Sequence, residues 1–468
     1  MTLKKKLSAL FGAQDMTVGS PMSCLLKFSI PLLIGNLAQQ MYSTVDAIII
    51  GQSDWGVQGL AAVGLATPVL NLLLVLFMGV STGASILSAQ YFGAKDRPTL
   101  NRCVGASLFL IVVSGLIMMA AGYFLSPWLI NLTTPPSPEV GQGATAYLQI
   151  FFLGIVGNGL YNIVSGILRG LGDSMMPLLF LVVACVLNIF LDMALVDSMG
   201  VAGVALATII AQGVSALLCM WRICNIRHIC DVKLKHILHP DKQLMFKIGA
   251  LGLPSGITQG IFSVSALIVQ SLTNTLGDAM VAANTAIMRV DGFAMMPNFT
   301  FGTAATTYIG QNVGAGRGDR LKPGIKAMLT LGLVSSTVLV AAILLFGNNI
   351  LGWFTDDTLT LQLGVQGLQT LAFGYICFSV TQVLQGTMRG AGETQVPMYI
   401  SIIGTVILRM PLAYLMAFLT RNEQWTNGQP IALFGSLLIA WVLSMLMTII
   451  SYRMKFWRRK LGSLGDDL

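Results

Sequence analysis

Gly166-Ile167-Leu168-Arg169-Gly170-Leu171-Gly172-Asp173-Ser174-Met175-Met176-Pro177 returns later in the chain as Gly386-Thr387-Met388-Arg389-Gly390-Ala391-Gly392-Glu393-Thr394-Gln395-Val396-Pro397. The glycines, the arginine and the proline repeat identically, and Asp-Ser returns as Glu-Thr, all at one offset of 220 residues. Outward from this stretch, Gly93-Ala94 recurs as Gly314-Ala315 and Pro31 as Pro254, with shifts of one to three residues. A shared Arg-Gly pair alone means little, but matches in series at one offset describe a duplicated chain.

Each copy is embedded in long apolar runs. About 20 apolar residues suffice for a helix to cross the hydrocarbon of a bilayer. Such runs lie at roughly 28–50, 60–90, 104–125, 145–168, 176–196, 201–221, 248–272, 280–309, 327–346, 367–388, 396–419 and 431–452, about twelve in all. Leu72-Leu73-Leu74-Val75-Leu76-Phe77-Met78 is apolar on every side, unlike a barrel strand, which alternates over about 10 residues. Pro31, Pro68, Pro254, Pro297 and Pro411 fall inside these runs and predict bends. Six spans per half is an even number, so both halves share one orientation, as in a parallel repeat about an axis along the membrane normal. The expected fold is an all-α polytopic membrane protein of twelve transmembrane helices in two six-helix lobes related by a parallel pseudo-twofold repeat. Its expected parts are a cytoplasmic N-terminal segment (1–26), an N-lobe (27–223), a cytoplasmic basic linker (224–246), a C-lobe (247–453) and a cytoplasmic tail (454–468).

Composition agrees. Of 468 residues, 55% are hydrophobic and only 10% charged, with a mean hydropathy of +0.77, whereas soluble domains carry about 25% charged residues. That excludes an ordinary cytosolic enzyme, a disordered chain and a collagen-like one. The net charge of +8 is no nucleic-acid footprint, because the bases sit between apolar runs rather than on one face. With the N-terminus inside, every Lys and Arg falls in an inner segment except Arg289 and Arg409, within spans, and Arg421. The positive-inside rule therefore puts both termini in the cytoplasm, and the expected location is the cell's inner (plasma) membrane. No cleavable signal peptide is visible, since Lys4, Lys5 and Lys6 precede no long apolar core. The seven cysteines predict no structural disulfide, and Cys224 and Cys230 beside His228, His236 and His239 fit no zinc spacing.

Ionisable residues at bilayer depth cost about 2.5–3.5 kcal/mol on insertion scales, which makes them functional candidates. Asp46 and Asp192 each lie about seven residues from the outer end of their spans, ~10 Å below the surface at 1.5 Å per residue. Gln39, Tyr42 and Asp46 share one helix face, as do Asn188 and Asp192. Thr208 has a similar depth, and Asn158, Tyr161 and Asn162 form a somewhat deeper polar face. Carboxylates with amide and hydroxyl oxygens are what a hard cation such as Na+ takes, and mutually repelling buried carboxylates also bind protons. The expected coupling set is Asp46, Asn188, Asp192, Thr208 and Asn158, with Asp46, Asn188, Asp192 and Thr208 as the Na+ ligands if sodium is the ion. The bland alternative is a polar knot that fixes packing. In the second half the counterparts of Asp46 and Asp192 are near Gln270 and Leu412, so the acid chemistry is expected in the first. Gln39, Tyr42, Asn162, Asp291 and Met288 are the candidate substrate contacts, although Asp291, Arg289 and Arg409 read first as ties between helices and Met288 first as a packing or lipid-facing residue. No HExxH, GxSxG or P-loop occurs and no histidine lies in a span, so no enzyme and no cofactor is expected, and an ion gradient, Na+ or H+, must supply the energy.

The chain resembles the multidrug and toxic compound extrusion (MATE) transporters, in the branch similar to the DNA-damage-inducible group. The resemblance runs over about residues 25–455. It rests on Ser29-Ile30-Pro31, Val45-Asp46, Gly93-Ala94, Leu168 to Asp173, and Asn188 with Asp192. It implies V-shaped packing of two lobes and export of cationic or amphipathic small organic compounds in exchange for Na+ or H+, by a monomer in the lipid bilayer. The family's first-helix acid falls on Asp46, its fifth-helix Asn and Asp on Asn188 and Asp192, and its sixth-helix Thr on Thr208. Relatives with acids in helices 7 and 10 differ from this chain, which has Gln259, Gln270, Gln382 and Gln385 there. The alternatives are a lipid-linked oligosaccharide flippase of the same superfamily, which would want more cavity cations than Arg289 and Arg409, and an ion channel or receptor.

Overall fold

In the computed structural model, residues 13–454 are described except 54, 134, 136, 356 and 424, together with 457 and 458. Lys4, Lys5, Lys6, Lys455, Arg459 and Lys460 of the expected terminal segments lie outside the described residues. Among the described residues every regular element is a helix and there are no strands. The helices are α1 (Pro21–Gln52), α2 (Gly56–Gly93), α3 (Arg97–Leu132), α4 (Pro138–Leu153), α5 (Ile155–Gly170), α6 (Met175–Met199), α7 (Val201–Asn225), the short α8 (Leu234–Leu238), α9 (Lys242–Asn274), α10 (Asp278–Ala294), α11 (Met296–Gly314), α12 (Gly318–Gly352), α13 (Thr358–Gly390), α14 (Gln395–Ile402), a π-helical segment Ile403–Arg409, α15 (Met410–Leu419) and α16 (Ile431–Arg453).

By length and apolarity, ten of these helical stretches could each cross a membrane, and α4 with α5 makes an eleventh, bent by 54°. The expected eighth span, 280–309, forms as α10 and α11, broken at Met295. This pair holds Asn284, Arg289, Asp291, Asn298 and Thr300 and is less apolar than the others, which marks it as a lining rather than a lipid-facing element. The α4–α5 bend falls at Gly154, where a Cβ would run into Ile209. Of the five prolines expected to bend spans, Pro31, Pro68 and Pro254 sit inside helices. Pro297 instead follows the break at Met295, at the start of α11, and Pro411 directly follows the π-helical segment within the continuous helical span Gln395–Leu419.

The duplicated stretch explains its own composition. The Gly166 and Gly170 face of α5 lies on α2, and a Cβ on either would stand 2.5 Å from Ser81 Oγ or from the Ser85 carbonyl. Gly386 and Gly390 of α13 lie on α11 in the same way, with a Cβ at 390 standing 2.5 Å from the Thr306 carbonyl. Small residues four apart let helix backbones approach within membranes, where burial in lipid gives no advantage. Gly172 and Gly392 turn the chain after these helices at φ +84° and +90°, where a side chain would be strained. The repeated acids then cap the next helix. Asp173 Oδ1 accepts the Met176 N–H at 3.2 Å, and Glu393 Oε1 accepts those of Gln395 and Val396 at 2.9 and 3.2 Å.

The chain divides into two compact units. One comprises the chain up to Val18 with Leu26–Gly256, the other Gly19–Leu25 with Ile257 onward. In the first, Phe77, Leu108, Ile111, Phe152, Ile155 and Ile167 form the centre of the buried core. In the second, Met280, Ile287, Leu371, Tyr375 and Phe434 do so. Outside, α12 exposes Val334, Val338 and Leu345. An apolar exterior of this kind is solvated by lipid, not water.

Candidate functional site

Two polar regions stand out, one in each unit. In the first unit, α1 carries Tyr42 and Asp46 one turn apart, α6 carries Asn188 and Asp192 one turn apart, and α7 carries Thr208 and Gln212. These i, i+4 pairs put both groups of each helix on one face. Asn188 and Asp192 are completely buried, and Tyr42 and Thr208 nearly so. Asp46 and Asp192 stand close enough to act on one another as charges and as hydrogen-bonding groups. Even so, Asp46 Oδ1, both Asp192 carboxylate oxygens, and the Asn188 Oδ1 and Nδ2 are buried without a directed hydrogen bond. The reason is chemical. An ionised carboxylate only accepts, so two carboxylates facing each other have no proton to share until one is supplied. The Tyr42 hydroxyl donates to Thr208 Oγ1 at 3.3 Å, tying α1 to α7.

Other expected residues stand apart. The Asn162 amide donates to the Asn158 carbonyl at 2.9 Å and to its Oδ1 at 3.0 Å, and Ser81 Oγ donates to the Asn162 carbonyl at 2.7 Å. These amides are engaged with one another and with α2. Gln39 is exposed. Tyr147 of α4, buried and near both acids, was not singled out in the sequence. Neither was Gln212, whose Oε1 is buried without a partner one turn from Thr208. Only the meeting of α1, α4, α6 and α7 brings these groups to one place, and no spacing along the chain encodes it.

The oxygen donors here, two carboxylates, an amide and a hydroxyl, are those a hard monovalent or divalent cation takes. Among the described residues no group of three or more His, Cys, Asp or Glu converges.

The second unit holds a cavity of about 290 Å³. Its walls include Phe262, Phe299, Phe378 and Trp441, with Gln382 and Gln385 among the polar groups. Phe299 and Trp441 each lie 5.5 Å from Phe378, ring centre to ring centre. Asp291, Met288 and Arg409 line the same space, while Arg289 is exposed. The Tyr375 hydroxyl donates to Asp291 Oδ1. Gln270, near the repeat position of Asp46, accepts from the Asn284 amide at 3.3 Å and donates to Asn274 at 2.9 Å.

Comparison with known proteins decides the family. The MatE family profile matches residues 31–194 and 254–415, one match in each half of the repeat. The chain belongs to the MATE family. It is a multi-pass membrane transporter rather than an enzyme. It is 29% identical over 445 residues to the probable multidrug resistance protein YoeA of Bacillus subtilis (strain 168), covering 92% of this chain and 93% of that one. It is 27% identical to the probable multidrug resistance protein NorM of Thermotoga maritima, covering 84% and 85%. Among solved structures it resembles a MOP superfamily transporter from Pyrococcus furiosus with a TM-score of 0.87 at 24% identity, covering 97% and 98%. An outward-facing multidrug resistance MATE family transporter gives the same TM-score and identity, covering 97% and 99%. These likenesses support the twelve-span, two-lobe MATE fold read from the repeat.

Proposed function

We propose that this MATE transporter exports cationic or amphipathic organic compounds in exchange for Na+ or H+, by alternating access of its two lobes, as a monomer in the cell's plasma membrane with both termini in the cytoplasm. The observation that carries the coupling is the Asp46–Asp192 pair, whose buried oxygens have no directed partner. Two adjacent carboxylates in low dielectric repel, so a cation or a proton must accompany them. Asn188 and Thr208 would complete the oxygen set around Na+, and Asn158 belongs to the same coupling set through α5. Gln39, Tyr42 and Asn162 in the first unit, and Met288 and Asp291 in the second, are the proposed substrate contacts. The name shared by the curated relatives, multidrug resistance protein, supports export of drug-like compounds.

Placement in the DNA-damage-inducible-like branch belongs to the same proposal. It is supported by a first-unit acid pair together with Gln382 and Gln385 where other relatives carry an acid. The proposed parts of the chain remain an N-lobe at 27–223, a basic linker at 224–246 and a C-lobe at 247–453, flanked by terminal segments 1–26 and 454–468. Dye efflux from inverted vesicles under separately imposed Na+ and proton gradients tests the reading. One of the two gradients alone should drive efflux, and dye movement that ignores both would overturn antiport.

A further inference from the structure

The cavity of the second unit carries two opposite charges that do not neutralise each other. Asp291 comes from α10 and is held by the Tyr375 hydroxyl of α13. Arg409 closes the π-helical segment, and its Nη1 lies 3.4 Å from Ser265 Oγ. Its Nε is buried without a partner. Arg409 acts on Asp291 as a charge, yet among the described residues no ion pair within 4.0 Å joins them. A buried charge without a close counter-charge is costly at membrane depth, and here two such charges face one space walled by aromatic rings.

The π segment contributes to this arrangement. A π turn adds a residue to the helical repeat and is frequent at functional sites. Its counterpart in the first half, within α6, is regular α-helix. Counting the added residue, Arg409 takes the repeat position of Asn188, so the duplicated chain has a cation in the second unit where the first has an amide. Gly404 within the segment packs directly on Ser444, both on the cavity wall.

We propose that this cavity binds a zwitterionic aromatic molecule, with its carboxylate on Arg409, its ammonium on Asp291 and its ring against Phe299, Phe378 and Trp441. The guanidinium fork matches a carboxylate, and rings favour offset or edge contact with aromatic walls. A purely cationic ligand would meet Arg409 and a purely anionic one Asp291, so the cavity discriminates by repulsion as well as attraction. The volume of about 290 Å³ is at the small end for ligand sites, which suits one ring bearing two charged arms. The inference rests on assigning Asp291 to substrate binding and narrows the substrates of this cavity to zwitterions among the amphipathic compounds proposed above.

The test is equilibrium binding to the purified full-length protein of 4-(aminomethyl)benzoate, competed by its methyl ester, a cation, and by its N-acetyl derivative, an anion. The zwitterion should bind at least ~10-fold more tightly than either, a difference of about 1.4 kcal/mol. Arg409→Gln should remove the preference over the ester, and Asp291→Asn the preference over the N-acetyl compound. Arg409→Lys should retain part of it. Equal binding of ester and zwitterion, no saturable zwitterion binding, or a ratio unchanged in Arg409→Gln each overturns the proposal. If Arg409→Gln does not fold, the wild-type comparison of the three ligands and Asp291→Asn decide. The binding assay is run at equilibrium with no Na+ or proton gradient imposed, so it does not depend on coupling. Its binding readout therefore separates failure of this inference from failure of the coupling reading.

Discussion

Arg222, near the end of α7, grips one carboxylate oxygen of Asp173 with two nitrogens, Nε at 2.9 Å and Nη2 at 2.8 Å. The Asp173 side chain is completely buried and Arg222 is 15% exposed. The pair pins the turn between α5 and α6, the first copy of the repeated stretch, to the last turn of the first unit's final long helix before the short α8. In the second copy Glu393 caps the following helix in the same way, its Oε1 accepting the N–H groups of Gln395 and Val396.

Arg222→Gln should therefore destabilise the protein, by about 3–5 kcal/mol at neutral pH, because it leaves a buried carboxylate uncompensated. Burial pushes the Asp173 carboxyl above its ordinary value, and Arg222 pulls it back. An acid raised in the folded state loses stabilising effect as pH rises through the raised value. Removing Arg222 raises it further, so the deficit should be small in acid and grow as pH rises. Thermal unfolding in detergent checks this. Arg222→Gln combined with Asp173→Asn should recover most of the loss, and a deficit independent of pH would count against the ion pair.

Asp46→Asn and Asp192→Asn should each reduce ion-coupled export by at least ~10-fold, and the double variant by no more than either alone. A shared site titrates as a unit, so its loss is complete once one carboxylate is gone. Transport at matched expression in vesicles is the measurement. Losses that multiply would return Asp192 to a packing role.

Gly390→Ala should destabilise the second unit by about 1–3 kcal/mol, since a Cβ there would stand 2.5 Å from the Thr306 carbonyl. Gly347→Ala in α12, where a Cβ would meet nothing within 4 Å, should instead stabilise by about 0.4–1 kcal/mol through the unfolded chain. Opposite shifts in unfolding midpoint are expected for these two substitutions of the same kind.

Asp96 caps α3 by accepting the Thr99 N–H at 3.1 Å. Asp96→Ala should cost about 0.5–2 kcal/mol, whereas Asp96→Asn retains the cap. Hydrogen bonds from the Thr99 side chain and backbone hold the Asp96 carboxyl below its ordinary value. Its contribution is thus present at neutral pH and lost as pH falls through that lowered value. The acid limb of the stability curve should be shallower in both variants, measured by unfolding across pH.

The sequence alone determined what depends on local composition and on counting. Apolar length identifies the spans, because backbone groups must be satisfied within each segment in lipid. The 220-residue offset reveals the duplication, and the glycines within it mark the close helix crossings in each unit. Depth counting also placed Asp46 and Asp192 at one level, since helical rise is constant. Tertiary structure alone decided which polar faces meet. It brought Tyr147 beside the acids and turned Asp173 into a partner of Arg222. It also broke the eighth span at Met295 and wound residues 403–409 into a π segment that carries Arg409 into a cavity with Asp291. The physical reason is that a helix's rotation about its axis and its local winding follow from side-chain packing against neighbours distant in the chain. No periodicity within one helix contains that information.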